Sequence, residues 1–322
     1  MSNNLIPFEN SDIKFTNPPV LIAAWPGVGN VGLVSVDYIR RKLQAKPLGG
    51  IDVKSFFMPH SGLVENGRFI TGDAPFCSFY YSTSPDVIIM ESNIQMGGTE
   101  GVFLLQKVFG VARQYNVKQI LTVSAIPYAM SHTENSQLYF AANSKRISKE
   151  LRDNGISPLM SGEINGLPGA VPVIASSKGL DSACILATMP VYAGNFTYPK
   201  AALPVISSIS DIINCSIDLD EVKKNTDNLN GQFEQIESQI KEQLPNLLGG
   251  EKRELQKELE QITSESIISE QDIINRNQSE KIEQMFEQVK KDRSKGIELK
   301  KLLDEMGVYR DYEDRFLDLF NE

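Results

Sequence analysis

The chain has 322 residues, 41% of them hydrophobic, and a formal net charge of -9. That length suits one large domain with an appendage, or two domains. The acidic balance argues against nucleic acid as a partner, because phosphate contacts need Lys/Arg patches. The longest apolar runs, such as Val20–Trp25 and Val87–Met90, fall far short of the roughly 20 residues that cross a bilayer, so no membrane partner is expected. Met1–Asn10 lacks a basic stretch followed by an apolar one, which predicts no signal peptide. Three scattered cysteines (Cys77, Cys184 and Cys215) predict neither a disulfide framework nor a zinc site. With only His60 and His132 as imidazoles, no metal or other cofactor is expected. A reduced, cytoplasmic protein is the consistent reading.

In chain order, Val20–Trp25 followed by Pro26-Gly27 predicts a buried strand. Val31–Leu43 has helical spacing and a basic end, Arg40-Arg41-Lys42, which suits a helix C-terminus. Ile51–Met58 predicts a strand, and Asn66-Gly67 a hairpin between Leu63-Val64 and Phe69-Ile70. Phe76–Tyr81 and Val87–Met90 predict strands. Thr99-Glu100 opens a helix that buries Val102, Leu105, Val108, Phe109 and Ala112. Gln119–Ser124 predicts a strand, Ser144–Asn154 a helix, Ser182–Met189 a strand, and Pro199 the start of a helix over Lys200–Ile213. Strands alternate with helices, which predicts an α/β fold with a mostly parallel sheet and helices on both faces.

The chain changes character near residue 217. Residues 1–217 hold 16 Lys+Arg against 15 Asp+Glu and 18 glycines; residues 218–322 hold 16 against 26 and 5 glycines. The expected organisation is an α/β domain over 1–217 and a charged, helical, coiled-coil-like tail over 218–322. In the tail Val222, Leu229, Phe233, Ile236, Ile240 and Leu247 recur at helical spacing, as do Leu255, Leu259 and Ile262, and a final set of Tyr309, Tyr312, Phe316 and Leu319. Leu229, Phe233, Ile236 and Ile240 are the expected interaction stripe, covered by a partner, a sister subunit or the body.

In parallel sheets, ligands sit at the carboxyl ends of strands. That rule gathers the loops Trp25–Asn30, Glu91–Gly98, Ala125–Thr133, Gly162–Gly169 and Pro190–Asn195. Gly27, Gly29 and Gly32 fit the dinucleotide spacing and, with Asn30, stand where bare amides could hold a phosphate. No acidic residue ends the predicted second strand, which runs into Met58-Pro59-His60, and no Gly-Lys-Ser/Thr follows. A structural turn that needs glycine for its backbone is the simpler reading. Glu91, Glu134 and Glu163 lie in the rim loops beside Asn93, Gln95 and Asn165, with Gly166 next to them. Two of these carboxylates could form an acid/base pair if the fold joined them, although loop hydrogen bonding and capping are the simpler reading of such residues.

Three segments follow one another in order: Trp25-Pro26-Gly27-Val28-Gly29-Asn30-Val31-Gly32, Gly162-Glu163-Ile164-Asn165-Gly166-Leu167-Pro168-Gly169, and Thr188-Met189-Pro190 leading to Tyr198-Pro199-Lys200-Ala201-Ala202. Together they resemble the proteasome assembly chaperone family of archaea and bacteria. The resemblance implies a three-layer α/β fold like that of purine nucleoside phosphorylases, frequent homo-oligomers, and a non-catalytic role in assembling proteasome α subunits. Some members are labelled as ATP-grasp enzymes, yet no lysine pair and acidic cluster of the kind ATP and Mg²⁺ require is visible here. Some relatives end in a hydrophobic-Tyr-any tripeptide, whereas this chain ends Phe320-Asn321-Glu322. The expected function is an oligomeric scaffold or assembly chaperone without catalysis. The alternative is an enzyme or sensor that binds a nucleotide-like ligand in the strand-end cleft.

Overall fold

The computed structural model describes residues 6–7, 13–57, 63–65, 67–70 and 74–243, and beyond these residues 285–286, 289, 296–305 and 316. Nine of its strands are β1 (Ile6–Pro7), β2 (Val20–Ala24), β3 (Lys46–Gly50), β6 (Cys77–Thr83), β7 (Asp86–Ser92), β8 (Gln119–Tyr128), β9 (Leu138–Ala142), β10 (Ser157–Pro158) and β11 (Asp181–Pro190). They form one sheet in the order β1-β3-β6-β7-β2-β8-β11-β9-β10. The predicted hairpin is present as a separate pair, β4 (Leu63–Glu65) and β5 (Arg68–Ile70). The helices are α1 (Val31–Lys42), α2 (Gly98–Gln114), α3 (Lys145–Asp153), α4 (Gly166–Ser177), α5 (Pro199–Ile212), α6 (Asp220–Gln243) and α7 (Gly296–Glu305).

The sheet is mixed rather than mostly parallel. β7, β2, β8 and β11 run parallel at its centre, while β3, β6 and β9 are joined antiparallel. β2 is buried along its whole length, as the short apolar run required. Its residues divide by parity. Val20, Ile22 and Ala24 face a core shared with α1, α3 and α5, while Leu21 and Ala23 face a second core shared with α2 and α4. Alternation across the pleat therefore places helices on both faces.

Three expectations fail locally, the smallest being Val102, expected on the buried side of α2 but 51% exposed. The strand predicted at Ile51–Met58 lies instead at Lys46–Gly50; 51–57 is turn and coil. The predicted loop over Gly162–Gly169 gives way at Gly166 to α4, which contains Pro168 and Pro172. Proline at 172 leaves the carbonyl of Pro168 without its helical donor. The Thr122 hydroxyl from β8 donates to that carbonyl at 2.7 Å, so the sheet supplies the bond that the helix lacks. Elsewhere the termini follow their chemistry. Ser144 caps α3 by accepting from the Ile147 N–H, and Pro199 opens α5.

The chain forms two compact units, Met1–Lys252 and Arg253–Glu322. The division expected at 217/218 falls inside the first of them. Val222 and Phe233 of α6 belong to the core beside α5, and Leu229 and Ile236 pack against it. In the second unit Leu299 and Leu303 of α7 are buried. The stripes at Leu247–Ile262 and most of the final set lie outside the described residues.

Candidate functional site

The glycine turn leaves β2 through Trp25 and Pro26 and enters α1 by a short 3-10 turn over Val28–Asn30. Gly29 and Asn30 both adopt left-handed backbone, with φ of 62° and 49°. Three amides of the turn are engaged within the protein: Gly29 N–H donates to Gly194 O and Asn30 N–H to Gly27 O, each at 2.9 Å, and Val31 N–H donates to Val28 O. Tyr198 N–H in turn donates to Gly29 O at 2.9 Å, and Asn30 Nδ2 reaches Thr197 Oγ1 at 3.4 Å. A Cβ on Gly29 would lie 2.5 Å from Met189 Sδ, and one on Gly32 2.6 Å from the Val123 carbonyl oxygen, whereas Gly27 has nothing within 4 Å. The turn stitches the start of α1 to the loop after β11. Nor does α1 lead into a parallel neighbour, because β3 pairs antiparallel and stands apart from β2, so the dinucleotide unit is not formed.

The rim carboxylates are not brought together. Glu91, at the end of β7, is 7% exposed. It accepts from Arg40 Nε at 2.8 Å, and Arg40 also pairs with Asp37 and lies 4.6 Å from the Tyr80 ring centroid. Burial pushes the Glu91 carboxyl above its usual range while Arg40 pulls against it. Glu134 Oε1 accepts from Ser131 N–H at 2.9 Å within its own turn. Glu163 is exposed. Asn93 holds the approach to β6, accepting from Phe76 N–H at 2.7 Å and donating to Ala74 O at 3.0 Å. Gln95 bridges two crossovers: its Nε2 donates to Pro26 O at 3.0 Å and its Oε1 accepts from Leu167 N–H at 2.9 Å. Gly166, at φ 76°, clears space for that amide. Asn165 stands at the N-cap of α4, but its side chain makes no capping bond. Trp25 is buried in the α2/α4 core.

The densest polar group at the strand ends was not legible as a cluster in the sequence. Glu237, on α6, is 4% exposed. Its Oε2 accepts from His132 Nδ1 at 2.5 Å, Tyr192 OH at 2.7 Å, Ser131 Oγ at 2.8 Å and His132 N–H at 3.2 Å. His132 N–H is shared with Tyr192 OH at 2.8 Å. Lys200 Nζ donates to His132 O at 2.5 Å, and burial lowers its pKa. Burial, reinforced by Glu237, raises the Tyr192 phenol, and Tyr198 behaves likewise. The signal for this cluster lay in the tail. Glu237 falls one helical turn after Phe233, on the side of α6 that the periodicity assigned to apolar residues.

The stripe itself is covered from within the first unit. Phe233 packs edge-on against Tyr198, with ring centroids 5.0 Å apart, and against Phe196 at 6.4 Å; Leu229 and Ile236 are partly buried on the same core, and Ile240 is half-buried. A partner is therefore not needed to cover it. No group of three or more His, Cys, Asp or Glu among the described residues is placed to hold a metal ion. Among them no helix is long and apolar enough to cross a membrane.

A mixed sheet sandwiched by helices, with a glycine-tight turn at the end of β2, defines an α/β protein. The PAC2 family model matches residues 21–244, and the chain belongs to the PAC2 family. No curated protein matches its sequence. Among solved structures it resembles PbaB of Pyrococcus furiosus, an archaeal proteasome activator, at 19% identity and TM-score 0.60, over 72% of this chain and 98% of that one. It also resembles PbaA of the same organism, an archaeal homolog of proteasome-assembly chaperone, at 20% identity and TM-score 0.56, over 73% and 94%. A proteasome-assembly chaperone homologue of Mycobacterium tuberculosis matches at 17% identity and TM-score 0.56, over 67% and 94%.

Proposed function

We propose that the protein is a non-catalytic, cytoplasmic, oligomeric scaffold or assembly chaperone that acts on proteasome-type complexes, α subunits above all. Family membership and the fold shared with PbaA and PbaB support this reading. So does the state of the strand ends, where the turn amides are bonded to the protein itself and the carboxylates stand apart. A three-layer arrangement of the nucleoside phosphorylase kind suits the two cores.

The observation that carries the scaffold reading is on the α2/α4 layer. α4 has no charged residue in twelve, and Val173 on it is 74% exposed, with Val102 and Phe103 of α2 about half exposed. Such a surface suits contact with a second copy, since two uncharged patches meet without like-charge repulsion. Light scattering of the wild type and of Phe103→Glu/Val173→Glu tests it. An oligomer that dissociates in the double variant while melting normally is expected. A wild-type monomer, or an assembly untouched by the substitutions, overturns it. Native mass spectrometry with purified proteasome α subunits then tests the partner, a specific complex being expected. The alternative, a nucleotide-like ligand in the cleft, would draw on turn amides at 29–31 that are bonded within the protein and on Glu91, which is committed to Arg40.

A further inference from the structure

Four donors converge on one oxygen of Glu237: a ring nitrogen, a phenol, a hydroxyl and a backbone N–H. An ionised carboxylate only accepts hydrogen bonds, so all four must donate to it, and bonds to a charged acceptor are the strong ones. Three of the four donors come from side chains in two loops distant in sequence, after β8 and after β11. Lys200 holds the backbone of the first loop in place through His132 O. This is the form of a built anion receptor at the strand ends, where α/β sheets hold ligands.

The group that fills it is attached to a helix with a weak middle. The first turn of α6 is fixed to α1 by Arg41–Glu221 at 2.8 Å, and the residue two before the helix by Lys42–Asp218 at 3.2 Å and by Tyr38 OH to Asp218 O at 2.7 Å. The C-terminal half is held by Phe233 and Glu237, with Leu229 and Ile236 partly buried beside them. Between the two lies Asn225-Thr226-Asp227-Asn228, followed by Asn230-Gly231, a run of poor helix formers. A Cβ on Gly231 would meet nothing within 4 Å, so no packing requires glycine there.

We propose that Ser131, His132 and Tyr192 form a carboxylate-recognition site, occupied in cis by Glu237, and that a free carboxylate takes the same seat when the C-terminal half of α6 lifts. The full-length Glu237→Ala variant, with acetate as the probe, tests this. Hydrogen exchange in 232–243 and in 128–134 is expected to be about tenfold faster in the variant than in the wild type. Acetate is expected to slow it again, saturably, while equal chloride or acetamide does not. The rescue is expected to be lost when Tyr192→Phe is added. Glu237→Gln, which keeps the shape of the side chain, guards against simple misfolding and is expected to show the faster exchange without the acetate response. An acetate effect of equal size on the wild type, or none on Glu237→Ala, overturns the proposal. An acidic peptide added in place of acetate separates the two sources of the group: protection by the peptide at lower concentration points to a protein partner, and protection by acetate alone to a small acid.

Discussion

The Gly27–Gly32 turn and the Ser131–Glu134 turn leave two adjacent parallel strands, β2 and β8, yet use their donors in opposite ways. The glycine turn bonds to backbone groups of its own turn and of the Gly194–Tyr198 segment, and its glycines at 29 and 32 leave no room for side chains. The other turn gathers donors around a carboxylate carried on α6. Strand-end position therefore does not determine whether a loop receives a ligand. What decides is whether its donors are satisfied by backbone, which fixes them, or by a side chain that can be exchanged.

Four expected outcomes sharpen or break this contrast. The largest concerns α6. Ending the chain at residue 217 removes Val222, Phe233 and Glu237 together, and losing an aromatic side chain from a core alone costs about 3 kcal/mol. The 1–217 chain is expected to melt of the order of 10 °C below 1–243 by calorimetry; equal melting would return α6 to the status of an appendage.

Next, Gly29→Val combines a left-handed backbone with a clash against Met189 and is expected to lose about 3 kcal/mol in urea unfolding. Gly27→Ala, at extended φ and in open space, is expected to stay within about 0.5 kcal/mol of wild type. Similar losses at both positions would mean that the turn is not held as described.

The third outcome concerns the rim pair. Arg40→Met leaves the Glu91 carboxylate buried without its guanidinium, a loss of about 2 kcal/mol at neutral pH. Burial already holds the Glu91 pKa above its unfolded value, so Glu91 favours the folded state less as pH rises through that window. The deficit of Arg40→Met is expected to shrink as pH falls and Glu91 takes up a proton. It should lose that pH dependence in Arg40→Met/Glu91→Gln. Smallest is Tyr192→Phe, which removes one donor to Glu237. It is expected to cost about 1 kcal/mol and to speed exchange in the C-terminal half of α6 without altering β2 or β8.

The central strands were legible because β2, β7, β8 and β11 are short apolar runs between turn residues, and α1, α2, α3 and α5 because their periodicity and termini are regular. β3 was not, since Lys46-Pro47-Leu48-Gly49-Gly50 has almost no strand propensity and becomes a strand only by pairing with β1 and β6. α4 was hidden by its prolines, whose cost is offset by Thr122 from another element. At the rim, the glycine turn lies where the sequence placed it, between β2 and α1. Its reason was not readable, because Gly194 and Tyr198 complete it from far along the chain. The stripe on α6 was visible too, but periodicity shows that one side of a helix is covered without showing by what. That is why Leu229, Phe233, Ile236 and Ile240 suggested a partner, and why Glu237, a charge among them, drew no notice.

The bond from Thr122 to Pro168 indexes α4 to the sheet at one residue, so the helix cannot slide along β8 without leaving a buried carbonyl unpaired. The uncharged surface around Val173 is thus presented by a rigid plate rather than a compliant one. A partner that docks there meets a surface already in its bound shape, and the ordering cost that weakens many interfaces is largely absent.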